Sequence, residues 1–93
     1  MKARIFKVIA QTEPVYVTSR KKEGGQLAKS EIRLKEFGGD YEDELMCTMF
    51  DNLALLKFYK DDLVIASLRF QTHESNGQTY QDITVTNIVK LKQ

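Results

Sequence analysis

The sequence has no tryptophan, one cysteine (Cys47), one histidine (His73) and one proline (Pro14) in 93 residues. A single cysteine excludes an internal disulfide and makes a reducing, cytoplasmic setting the expected one. One cysteine and one histidine, far apart in the chain, cannot supply a standard zinc site. No apolar run approaches the roughly 18 residues that a membrane-spanning helix needs. The start, MKARIFKVIAQTEP, is basic but alternates in polarity, and it lacks the continuous apolar stretch and small-residue cleavage site of a signal peptide. Internal repeats, low-complexity segments and linkers are absent, and the length predicts one domain over 1–93.

What remains is a balanced composition. Hydrophobic residues make up 42% and charged residues 29%, enough for one small core and too apolar for a disordered chain. The net charge of +1 hides an asymmetry. Residues 1–35 hold nine Lys/Arg against three Asp/Glu, whereas 36–62 hold two against eight. Fields act locally, so one side of the molecule can be basic, unless strand pairing mixes the charges.

Alternation of polarity dominates the chain. Arg4 to Gln11 places Ile5, Lys7 and Ile9 on one face and Phe6, Val8 and Ala10 on the other, which predicts a central or bent strand. Pro14 interrupts it as a kink, and Val15 to Thr18 resumes it. Ser19 to Lys29 reads as a loop containing Gly24-Gly25 among Arg20, Lys21, Lys22 and Lys29. From Ser30 to Phe37, Ile32 and Leu34 point to the core, while Arg33, Lys35 and Phe37 point away. Gly38-Gly39-Asp40 predicts a hairpin turn. The returning strand sends Leu45, Cys47 and Met49 inward, with Met46, Thr48 and Phe50 on the side of Arg33. Leu63 to His73 predicts a fourth strand, with Val64, Ala66, Leu68 and Phe70 inward. Asn76-Gly77 is a strong hairpin signal, because both residues tolerate the positive φ of a type I′ turn. The last strand, Tyr80 to Lys92, carries Ile83, Val85, Val89 and Leu91 inward. Ile88 falls off this alternation and suggests a bulge near Asn87.

One segment breaks the β pattern. Asp51 offers a capping side chain, and Leu53, Leu56 and Phe58 recur at helical spacing, which predicts a helix of about ten residues ending at Lys60-Asp61-Asp62. The order is then three strands, a helix and two strands. That order predicts an all-β, five-stranded Greek-key OB-fold barrel with one short helix between strands three and four.

The residues Met49-Phe50-Asp51-Asn52-Leu53-Ala54, Tyr59 to Val64, Leu68-Arg69-Phe70 and Asn76 to Tyr80 resemble the second half of bacterial and phage single-stranded-DNA-binding proteins. They are similar also to a small family of single-domain OB-like bacterial proteins. The resemblance covers about residues 44–90 and implies an OB fold that binds single strands. Two features depart from that pattern. The family stacks bases on tryptophan, which is absent here, and it carries an acidic Gly/Pro-rich tail, which these 93 residues do not contain.

No catalytic constellation emerges, and neither a cofactor nor a metal is expected. Cys47 alternates with Leu45 and Met49, so it reads as a buried structural thiol rather than as a nucleophile partnered by His73. Asp40, Glu42, Asp43 and Glu44 form a solvated turn or at most a weak cation site. Gly24-Gly25 lacks the Gly-Lys-Ser/Thr of a phosphate-binding loop. OB folds bind on the outer face of strands two and three, between two flanking loops. The candidate nucleic-acid-binding residues are therefore Arg20, Lys21, Lys22, Arg33, Lys35, Phe37, Thr48, Phe50 and His73, with Tyr41, Tyr16 and Tyr80 as further stacking rings. Cations would neutralise phosphates and rings would stack bases. The expected partner is single-stranded DNA, with RNA as the alternative and no membrane. Edge strands in small open barrels often pair between subunits, which leads us to expect a homo-oligomer, a dimer or a tetramer. The competing reading is an OB-type protein-interaction or assembly module.

Overall fold

The computed structural model describes residues 3–18, 25–38 and 42–91. Its strands are β1 (Ala3–Gln11), β2 (Val15–Thr18), β3 (Gln26–Glu36), β4 (Glu44–Phe50), β5 (Leu63–Ser75) and β6 (Gln78–Lys90). The first predicted strand is thus β1 and β2 together. Both pair antiparallel with β3, β1 through Phe6↔Glu36 to Gln11↔Ile32 and β2 through Val15↔Lys29 to Thr18↔Gln26. Pro14, which has no N–H to give a ladder, lies in the three-residue gap between them. The gap is held by Thr12, whose N–H donates to the Glu31 carbonyl (2.9 Å) and whose Oγ1 accepts from the Glu31 N–H (2.9 Å).

β1 also pairs with β5, β5 with β6, and β3 with β4, all antiparallel. β6 meets β4 in parallel at Thr48↔Thr84. These pairings close the sheet on itself in the order β1–β5–β6–β4–β3–β1. A ring of five strands in Greek-key order, with β1 and β2 counted as one bent strand, is the OB fold.

The period of two decides what enters the ring. Phe6, Val8, Ile32, Leu34, Cys47, Met49 and Val64 are fully buried. Each large apolar side chain among them contributes about 1.5–3 kcal/mol by leaving water. Ser30 is buried among these residues, and its Oγ has no hydrogen-bond partner among the described residues.

Beyond the predicted Ser19–Lys29 loop, whose last residues Gln26 to Lys29 already belong to β3 and pair with β2, three further expectations change. The ten-residue helix is a single 3-10 turn, Leu53–Leu55, preceded by Asn52 rather than by a capping Asp51. Asp51 has φ 55° and Leu56 is already extended, so helical geometry cannot start earlier or run further. Gln11 then pins the following backbone in place of helix bonds. Its Nε2 donates to the Leu56 carbonyl, and its Oε1 accepts from the Phe58 N–H, both at 2.7 Å. Ala54 and Phe58 plug the ring, while Leu55 and Leu56 face solvent. Second, Phe70 is exposed, because β5 and β6 continue past the end of the core as a protruding hairpin. Third, Ile88 rather than Val89 enters the core, and Leu91 is only half-buried. The register passes from Ser67↔Asn87 to Leu68↔Val85, leaving Thr86 as an extra residue. The suggested bulge is therefore present, and it reverses the inward parity of the strand.

Candidate nucleic-acid interface

Side chains of directly paired residues project to the same side of a sheet. Along β3 and β4 the outward pairs are Lys29↔Phe50, Glu31↔Thr48, Arg33↔Met46 and Lys35↔Glu44. The sequence-derived residues Arg33, Lys35, Thr48 and Phe50 thus share one outer face. The inward partners, including Ala28, Ser30, Ile32, Cys47 and Met49, are buried, and their burial fixes this orientation. Phe37, just past the end of β3, is exposed and donates its N–H to the Ile5 carbonyl (3.1 Å). It therefore sits at the margin between this face and β1. Arg20, Lys21, Lys22 and Tyr41 lie outside the described residues.

The face does not stop at β4. Thr48 pairs with Thr84, and Thr84 pairs with Arg69. Two residues further out on the same side come Gln71↔Asp82, then His73↔Tyr80. The β5–β6 hairpin thereby carries the outer surface of β3 and β4 onto a projecting arm. Asn76 (φ 52°) and Gly77 (φ 79°) close it as the two-residue turn that the sequence predicts. Where the arm leaves the ring, all residues from Arg69 to Asp82 are exposed.

The arm holds its own ring stack. The His73 and Tyr80 rings lie 5.3 Å apart at 23°. His73 Nδ1 donates to Asp82 Oδ2 (2.6 Å), and Tyr80 Oη donates to Gln78 Oε1 (2.6 Å). Both polar atoms are satisfied within the hairpin, and each ring covers one face of the other, so the outer faces of the pair are the ones open to a base. Tyr16 stands apart, exposed on β2.

The charge on this face is mixed. Arg33 Nε donates to Glu44 Oε1 at 2.7 Å, with both side chains about half exposed. Glu31 is exposed between Lys29 and Arg33 on the same row. Arg69 has no ion-pair partner among the described residues. Arg69, Glu31 and Glu44 were absent from the sequence-derived site. Extending the alternation backwards from Asn76-Gly77 would have found Arg69, because the two-residue turn fixes its register. The pairing of Glu44 with Arg33 is a diagonal contact across two strands and needs coordinates.

Cys47 is fully buried and free. Burial pushes its thiol up to about 11, so it is protonated and unreactive at neutral pH. No group of three or more His, Cys, Asp or Glu side chains suited to a metal occurs among the described residues.

No family model matches the sequence, and no curated protein does. Solved structures do match. The second OB-fold domain of replication protein A from Methanococcus maripaludis superposes with a TM-score of 0.70 at 18% identity, over 98% of this chain and 83% of that one. The SSB domain of a protein from Synechococcus sp. gives a TM-score of 0.59 at 16% identity, over 95% and 93%. At these identities the likeness establishes the fold, which agrees with the ring topology. The protein is an OB-fold domain.

Proposed function

We propose that this protein binds single-stranded DNA without sequence preference, along the outer face of β3 and β4 and onto the β5–β6 arm. One observation carries the reading. In a single unbroken register, Phe50, Thr48, Thr84, Arg69 and the His73–Tyr80 stack occupy the same side of an OB frame. That surface pairs ring faces with cations, the combination that single strands require. The similarity to an SSB domain and to an OB domain of replication protein A supports it. Arg20, Lys21 and Lys22 fall between β2 and β3 in the chain, at the loop that flanks this face in OB folds. Stacking accounts for roughly 1–3 kcal/mol per base, so Phe50 and Tyr80 are the rings whose loss matters most.

The test is fluorescence anisotropy of labelled oligo-dT at two salt concentrations. We expect salt-dependent binding that weakens at least tenfold when Lys21, Lys22, Arg33 and Lys35 are changed together to Ala. Unchanged affinity in that variant sinks the reading. The acids Glu31 and Glu44 on the same face favour a second reading, an OB-type protein-interaction module. A specific protein partner together with no gel shift at low salt selects it.

A further inference from the structure

Beside Phe50 lies a depression that stacking and phosphate neutralisation leave unused. Val15 pairs with Lys29, and Lys29 pairs with Phe50. These three side chains therefore form one outward row across β2, β3 and β4. Two residues along each strand, Val17 flanks Val15 and Glu31 flanks Lys29 on the same side. Thr12 and Glu13, from the kink before β2, complete the rim. Together they line a space of about 280 Å³. Small-molecule sites usually run from ~300 to 1,000 Å³, so this one has room for a single flat ring.

Its polar groups are unspent. Lys29 is half-buried and has no ion-pair partner among the described residues. Glu31 is exposed and also unpaired, although it stands only two residues away on the same side. Glu13 is turned to Lys57 (3.7 Å). The depression thus offers one free donor and one free acceptor beside two valines. A phosphate is a poor occupant, because the carboxylates at the edge repel it. An uncharged ring with donors and acceptors along one edge suits it.

From this arrangement we infer that the depression is a base subsite that prefers cytosine to thymine. The inference rests on the proposed single-strand reading, and it adds a preference at one position to binding that elsewhere follows charge and stacking. The face of the base lies on Val15 and Val17. Its N4 amino group donates to the Glu31 carboxylate, the contact by which acids read cytosine. Its N3 and O2 accept from the Lys29 ammonium, as splayed-out bases do along their pairing edges. Thymine carries a carbonyl oxygen in place of the amino group and a hydrogen on N3. In the same seat it turns an acceptor to Glu31 and a donor to Lys29, so Glu31 gains no base contact from it. Purines bring a second ring, for which the space is small.

The test compares oligo-dC, oligo-dT and oligo-dU of one length by anisotropy with the full chain, at mildly alkaline pH where cytosine is unprotonated. Oligo-dC should bind at least about fivefold more tightly than oligo-dT. Oligo-dU, which keeps the carbonyls of thymine without its methyl group, should behave like oligo-dT. The ratio of the dC and dT affinities cancels the effect of net charge. Glu31→Ala should bring that ratio close to one, and Lys29→Met, which keeps the apolar stem, should lower it. Glu74→Ala removes the same charge from the other side of the arm and should leave the ratio unchanged. Circular dichroism verifies that each variant is folded. In the wild-type protein, the amide chemical shifts of Val15, Val17 and Glu31 should differ between the dC and dT complexes, a readout that needs no variant. Equal binding of oligo-dC and oligo-dT overturns the inference and leaves the single-strand reading standing. A dC preference that survives Glu31→Ala also overturns it. Failure to bind any of the three oligonucleotides overturns the single-strand reading, and the inference with it.

Discussion

Arg33 and Glu44 offer the sharpest quantitative test of the candidate interface. The guanidinium Nε and the Glu44 carboxylate are 2.7 Å apart and about half exposed. Arg33 can meet a phosphate fully only by giving up that carboxylate. A solvent-exposed pair of this kind is worth about 0.2–1 kcal/mol. Removing the competitor with Glu44→Gln should therefore tighten oligo-dT binding by a factor of about 1.4–5. It should also steepen the dependence of log K on log[salt] by ~0.7, the contribution of one further phosphate on a single strand. Glu31→Gln removes an acid from the same row that makes no ion pair among the described residues, so it controls for charge alone. In an Arg33→Gln background, Glu44→Gln should regain neither the affinity nor the slope. The assay is anisotropy over four or more salt concentrations. Binding that is present but equal in affinity and slope for wild type and Glu44→Gln refutes the displacement argument. Absence of binding in every variant refutes the interface itself.

Other outcomes follow from the interior and the turns. Ser30→Ala removes a buried hydroxyl that has no partner among the described residues, and it should raise unfolding free energy by about 1 kcal/mol in denaturant titration. Gly77→Ala should cost about 1 kcal/mol through φ 79° alone, since an added Cβ meets nothing within 4 Å. Cys47 makes stability pH-dependent. Its folded-state pKa lies above the unfolded value, so its contribution is complete below about pH 9 and is lost as pH rises through about 11. The loss is about 2–3 kcal/mol. It should appear as the difference between wild type and Cys47→Ala in unfolding measured from pH 7 to 11, and parallel curves would contradict it. Phe50→Ala should weaken oligo-dT binding by roughly 1–3 kcal/mol in the same anisotropy assay, with little change in the salt slope.

Much of the ring was legible in the chain because its strands are buried on one side only. Ile32 and Leu34 against Arg33 and Lys35, or Cys47 and Met49 against Met46 and Thr48, can satisfy water and core in one register alone. Asn76-Gly77 identified its hairpin because few residues accept positive φ. The helix over Asp51 to Phe58 was misread for a physical reason. Leucines at helical spacing describe a preference, but the segment is only long enough to plug the ring, and Gln11 from β1 holds it extended. That tie spans 45 residues of sequence and leaves no periodic signal. Phe70 was misplaced because alternation gives the side of a strand and not how far the core extends along it. The candidate site was half visible: the β3–β4 row follows from parity, whereas its continuation through Thr84 depends on a single parallel pairing that no local pattern encodes.

The extra residue at Thr86 has a reach beyond its own strand. Were it paired in regular alternation rather than bulged out, Val85 and Val89 would share a side, and the end of β6 would turn Val89 toward the interior and Ile88 to solvent. Deleting Thr86 would leave Ile88 inside and Val89 outside, whereas drawing it into the regular ladder should exchange what the wall hides for what it presents. The same hydrogen-bonded frame would then display isoleucine where valine now stands, and the fit of any neighbour would change with no substitution on the visible surface.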